Sequence, residues 1–198
     1  MKLGISIALS LSILVLGYFV YDSINSRIKF EKETTRRNKV VEERLKDIRT
    51  AQLAYKNQKG EYTNNFDSLI SFVKYDKMPI IMQIGDAEDS IAVASGQVIR
   101  DTTYINIIDT LFSQTRMLNR LRPFYLDSIS YVPFSNGEKF DLDAGEIEKN
   151  KVKVKVFEVF ATYKKIYTGL ETKKQNVKVH EGLRVGSMTE PSTSGNWE

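Results

Sequence analysis

Residues Leu3 to Tyr21 form a single uncharged run, LGISIALSLSILVLGYFVY, closed by Asp22. As a helix its 19 residues span roughly 28 Å, close to the thickness of a bilayer's hydrocarbon core. Such a run restricts the chain to two forms, a single-pass membrane protein or a secreted one that loses a signal peptide. A cleaved signal needs small residues after a shorter apolar stretch. Here Tyr18, Phe19 and Tyr21 stand in those places, and they suit the interfacial belt of a retained helix. An uncleaved anchor is therefore expected. The chain contains no cysteine, which excludes a lipidated N-terminal cysteine, disulfides and thiolate metal sites.

The remaining chain is long enough for one domain with its own core. The net charge of +4 is local: residues 25–50 hold nine Lys or Arg against five Asp or Glu, and the rest balances at twenty of each. Arg27, Lys29, Lys32, Arg36 and Arg37 form a basic membrane flank that can meet anionic lipid headgroups. The other reading of that flank is a solvated helix face laced with opposite charges. No basic, aromatic-studded face is present, so nucleic acid is not an expected partner.

From about Phe30 to Lys59 there is neither Pro nor Gly, and the composition favours a helix. Val41, Leu45, Ile48 and Tyr55 recur at helical spacing with Ala51 and Ala54 beside them, giving one apolar stripe. Gly60 should end the helix, and Tyr62 should fold back on it. These positions (Val41, Leu45, Ile48, Tyr55 and Tyr62) are the candidate interaction residues. The stripe is too short for a stable coiled coil, so it is expected to pack on the chain's own domain. A short helix follows, capped at Asn64 or Asn65, with Phe66, Leu69, Ile70 and Val73 buried and Pro79 marking its exit.

Beyond it the texture is extended. Met78 to Ile84 and Val98 to Ile107 read as strands. Ser128 to Phe134 and Phe140 to Ile147 read as a hairpin about Asn136-Gly137, and Lys151 to Val156 alternates as a strand with one wet face. Gly85 to Gly96 and Ser113 to Arg122 read as loops. The expected class is α+β, with a mainly antiparallel sheet. Its organisation is 1–24 transmembrane anchor, 25–59 juxtamembrane stalk helix, 60–188 α+β domain and 189–198 flexible tail.

Catalytic chemistry finds little support. The single histidine, His180, lies in a polar stretch with no matching nucleophile motif, and no phosphate-cradling glycine loop occurs. No enzyme activity and no cofactor are expected. Asp141, Asp143, Glu146 and Glu148 start like a calcium loop, but the twelfth position is Val152. They are a weak metal candidate beside the alternative, the wet face of a strand whose acids pair with Lys149, Lys151, Lys153 and Lys155.

The stretch from Ala51 through Tyr55, Gly60 and Tyr62 to Thr63 resembles the end of the long first helix in type IV pilins and type II secretion pseudopilins. The resemblance implies a hydrophobic helix running into an amphipathic one, a glycine-tyrosine turn and an antiparallel sheet. Lys2-Leu3-Gly4 departs from the processed leader of those proteins, and Leu9 stands where their helix carries glutamate. The whole chain, with Gly182 to Ser187 and Gly195 to Glu198, also resembles an uncharacterised family of bacterial envelope proteins, which implies no activity. Counting Lys and Arg alone places the large C-terminal part in the cytoplasm. The short N-terminal tail and the pilin-like plan place it outside, and that is the expectation. The chain then reads as a structural or assembly subunit of a secretion, pilus-like or motility apparatus in the inner membrane. Its partners would be membrane lipid, other envelope subunits and a second copy of itself. The alternatives are a membrane-anchored ligand- or calcium-binding module and a cytoplasm-facing adaptor.

Overall fold

A computed structural model of the chain describes residues 2–84, 99–118 and 120–198. Helix α1 runs unbroken from Lys2 to Lys59, 58 residues and roughly 87 Å long. Among the described residues it is the one helix long and apolar enough to cross a membrane, judged from Leu9 on. Side chains from Leu9 to Lys29 are exposed except that of Asn25, whereas Val41, Leu45, Ile48 and Ala51 are fully buried. The stalk expected at 25–59 is thus two things: a free stretch up to Lys29 and, from Val40 on, the spine of the domain core. At Gly60 the backbone turns to φ +83°, where a side chain would be strained, and its N–H closes the last turn on the Lys56 carbonyl at 2.8 Å.

Helix α2 spans Phe66–Tyr75. The side chain of Asn65 caps it, accepting from the N–H groups of Asp67 (2.7 Å) and Ser68 (3.3 Å). Phe66, Leu69, Phe72 and Val73 are buried against α1. Pro79 does not mark the helix exit. The helix stops at Tyr75, and Pro79 sits inside β1 (Lys77–Ile84), which pairs antiparallel with β2 (Ile99–Asn106) in a two-stranded ribbon. Proline is tolerated there because both strands of a two-stranded ribbon are edges. The loop expected at Gly85 to Gly96 lies outside the described residues. Between Ser113 and Arg122, Gln114–Met117 make one turn of helix.

The main sheet has the order β3–β4–β5, antiparallel throughout, from Asp141–Lys149, Val152–Thr162 and Gly182–Gly186. Its tight hairpin joins β3 to β4 through Asn150 and Lys151, both left-handed at φ +52° and +64°. The hairpin expected about Asn136-Gly137 is reduced to one bridge, Tyr131 to Lys139, after a 3₁₀ turn at Leu126–Ser128. Pro133 has no N–H to donate and Phe134 turns to φ +70°, so the ladder cannot extend. Phe157, Val159 and Ala161 of β4 and Leu183 and Val185 of β5 form the buried face, and α1 lies across it along β5.

Two expectations for the sheet and tail are corrected. Along β4 the lysines were to share a wet face with valines turned inward. Phe157, Val159 and Ala161 instead put Lys153 and Lys155 on the core-side face, where it runs out beyond the core. The tail at 189–198 is folded, not free. Gly195 bridges Val185, and Asn196 accepts from the Arg184 N–H (3.1 Å) and donates to the carbonyls of Arg184 (3.1 Å) and Gly182 (2.9 Å). Those bonds cover the free edge of β5, a row of backbone groups that would otherwise stay open.

Candidate interaction surfaces

The apolar stripe of α1 is consumed within the domain. Val41, Leu45 and Ile48 have no exposed surface, and Tyr55 meets Phe72 edge-on at 5.0 Å between centroids. Tyr62 folds back onto the sheet and packs on Phe157 at 4.6 Å. Val41, Leu45, Ile48 and Tyr62 are therefore spent within the chain's own core, while the half-buried Tyr55 packs α1 against α2.

The basic flank divides. Arg27 pairs with Glu31 one turn on at 3.2 Å, and Lys29 and Lys32 are exposed. Arg36 and Arg37 share Glu33, at 2.7 and 2.9 Å. The two arginines hold the Glu33 carboxyl down to about 2, chiefly through the hydrogen bond from Arg36 and then that from Arg37. Arg37 is not a headgroup ligand: it reaches into the domain and donates to the carbonyls of Ile166 (3.1 Å) and Thr168 (2.9 Å).

The four carboxylates of β3 do not converge. Strand alternation puts Asp141 and Asp143 on the outer face and Glu146 and Glu148 on the core side. Glu146 pairs across the hairpin with Lys155 (2.7 Å) and Lys153 (3.5 Å), and Asp141 is held by Lys165 at 2.8 Å. Among the described residues no group of three or more His, Asp or Glu side chains is placed to hold a metal ion. His180 is exposed.

A different surface is assembled from three distant segments. The guanidinium groups of Arg36, Arg37 and Arg122 all lie over the ring of Phe134, at 5.0, 4.9 and 5.0 Å from its centroid. Phe134 is bulky and left-handed, a conformation that costs on the order of 1–3 kcal/mol. The buried Ser135 hydroxyl keeps that turn closed by donating to the Val132 carbonyl at 2.7 Å.

Two turns further along α1, Arg44 donates to the backbone and side-chain oxygens of Ser128. Asp47 forms a two-pronged ion pair with Arg120, largely buried on both sides. Burial pushes the Asp47 carboxyl up, against the pull of the Arg120 guanidinium. The signals for this surface were Arg120 and Arg122 before a proline, and Phe134 between Pro133 and Asn136-Gly137. Neither says by itself that the two segments meet on α1.

Comparison of the chain with protein-family models, curated proteins and solved structures gives no match.

Proposed function

We propose that the protein is a non-enzymatic, single-pass subunit of a bacterial envelope machine, one that scaffolds or assembles a secretion, pilus-like or motility apparatus. In this reading the apolar stretch of α1 lies in the inner membrane and the domain is periplasmic. The observation that carries it is the continuity of α1. One helix is both the exposed apolar segment and the buried spine, with no glycine or proline between Tyr18 and Lys59. A domain that only needed tethering could hang from a flexible linker. A rigid helix sets the domain's height and orientation above the membrane, which suits a part that must register with neighbours. The helix packed across an antiparallel sheet also follows the pilin-like plan, which supports the same reading.

The test is topology followed by proximity in intact cells. A reporter active only outside the cytoplasm is fused after Glu198, and single cysteines are introduced at Ile24 or Ile28 of the cysteine-free chain for crosslinking. An active reporter with discrete crosslinked species is the expected result. A cytoplasmic C-terminus would overturn the periplasmic placement and leave a membrane-tethered adaptor, the reading that the basic flank favours. A calcium-binding module loses its support because the β3 carboxylates are split between two faces.

A further inference from the structure

Arg44 is a half-buried cation with no ion-pair partner among the described residues. Among the described residues no carboxylate lies within ion-pair distance of it, and Asp47, whose charge acts on it through space, is paired with Arg120. It donates through Nη1 alone, to Ser128, so its other guanidinium N–H groups are uncommitted within the described residues. Burial lowers its proton affinity, and the charges of Arg120 and Arg122 add to that against the pull of the Asp47 carboxylate, although an arginine stays charged at any ordinary pH. A half-buried guanidinium is partly desolvated, and its uncommitted N–H groups can receive a carboxylate arriving from outside.

Arg44 lines an open cleft of about 340 Å³ together with Arg122, Tyr125, Ser128, Tyr131 and Pro133. Arg122 is exposed and lies over the face of Phe134. The cleft therefore presents two cations without carboxylates, a hydroxyl and a rim of tyrosine and proline. Tyr125 and Tyr131 are exposed. Arginine and tyrosine are the residue types that dominate the energetics of protein interfaces.

Position argues against lipid. Arg44 lies 23 residues beyond Tyr21 on the same helix, roughly 35 Å along its axis and well past the reach of headgroup charge.

We propose that this cleft docks an acidic segment of a partner protein, seating a glutamate or aspartate carboxylate between Arg44 and Arg122 with its apolar neighbours against Tyr125 and Tyr131. The proposal rests on the assembly-subunit reading and names the chemistry by which one neighbour is recognised. Bidentate geometry makes arginine, more than lysine, suited to that task.

The test uses the full chain in phosphatidylcholine nanodiscs and calorimetric titration with the peptide acetyl-Ser-Val-Glu-Val-Glu-Val-Ser-amide. Its glutamine counterpart serves as the uncharged control. The glutamate peptide should bind at least tenfold tighter than the glutamine one, and Arg122→Gln should remove that difference while Arg116→Gln, on an exposed residue outside the cleft, keeps it. Arg122 is exposed, so its variant is expected to fold, and Arg44→Gln serves as a second probe. Equal binding of the two peptides, no binding of either, or unchanged binding by Arg122→Gln would overturn the proposal. Displacement of the peptide by equimolar inorganic phosphate would reassign the cleft to a free anion. Displacement by phosphatidylglycerol added to the nanodiscs would reassign it to lipid. Because the titration uses the isolated chain, its failure leaves the topology result standing, and a cytoplasmic C-terminus would leave the peptide result standing.

Discussion

Gln52 and Thr63 close the corner between α1 and α2 by a reciprocal pair of hydrogen bonds. Gln52 donates from Nε2 to the Thr63 carbonyl at 2.6 Å and accepts from the Thr63 N–H at Oε1 at 3.2 Å, with both residues buried. An amide side chain can satisfy a backbone donor and acceptor at once, which no aliphatic residue can. Gln52→Ala should destabilise the domain by on the order of 3 kcal/mol, because two buried backbone groups lose their partners. Gln52→Glu isolates the electrostatics. Its buried carboxyl should titrate above the unfolded value of about 4.3. Its deficit relative to wild type should then be small below that pH and grow as pH rises through the folded value. Denaturant unfolding of the full chain in micelles across pH reads both variants.

Arg37 ties the start of the buried half of α1 to the segment after β4. Its side chain is 13% exposed and contacts Glu33, Ile166 and Thr168 together. A lysine keeps the charge but is a point donor, so it cannot serve two carbonyls and a carboxylate in this geometry. Arg37→Lys should cost about 1–3 kcal/mol. Amide exchange should quicken at residues 163–170 more than in β3. Uniform loss of protection would contradict a local clamp.

How far the fold was legible follows from the range of the forces involved. Helix α1, its apolar stripe and the Gly60 stop are local patterns, and so is the Asn65 cap. Each was readable because the residues that decide it lie within a turn of one another. The β4 face was misread because Lys153 and Lys155 alternate with valines as a wet face would. Only the position of α1, which covers Phe157 and Val159 but not the hairpin end, decides which side is buried. The tail was misread for a similar reason. Pro191 to Asn196 has the composition of a disordered end, and its order comes from Asn196 bonding to β5. The arginine surface needs α1, residues 120–125 and the Phe134 turn at once, so no window of sequence contains it.

The folded tail has a convenient reporter. Trp197 is the chain's one tryptophan and packs against the core, with its Nε1 buried and without a hydrogen-bond partner among the described residues. Its emission should be blue-shifted relative to free indole. Asn196→Ala removes the bonds that its side chain makes to β5. The emission should then shift to the red before global unfolding. Coincident transitions would mean that the tail and domain form one cooperative unit.

Glu33 gives a pH signature. Arg36 and Arg37 lower its carboxyl from 4.5 to about 2. A depressed folded value adds stability that is fully present above the unfolded value and lost as pH falls through the folded one. The difference in melting temperature between wild type and Glu33→Gln should therefore be constant above about 4.5 and shrink towards zero near pH 2. Carbon-detected NMR of the Glu33 carboxyl gives the midpoint directly, and an ordinary midpoint would mean that the shared ion pair does not persist in solution.

Asp47 is the anion that makes the neighbouring arginines tolerable. It neutralises Arg120 and lowers the potential around Arg44, so removing it leaves several guanidinium groups facing one another. Breaking a buried pair from one side typically costs about 3–5 kcal/mol, because the remaining charge stays desolvated. Asp47→Asn should show a loss of that order in denaturant unfolding. Removing both charges is a different experiment. Asp47→Leu combined with Arg120→Met replaces the pair with apolar groups of similar size and should recover most of the loss, since the desolvation penalty goes with the charges. If the double variant is no more stable than Asp47→Asn, the pair is needed to position residues 120–125, and the cleft beside Arg44 should be lost with it.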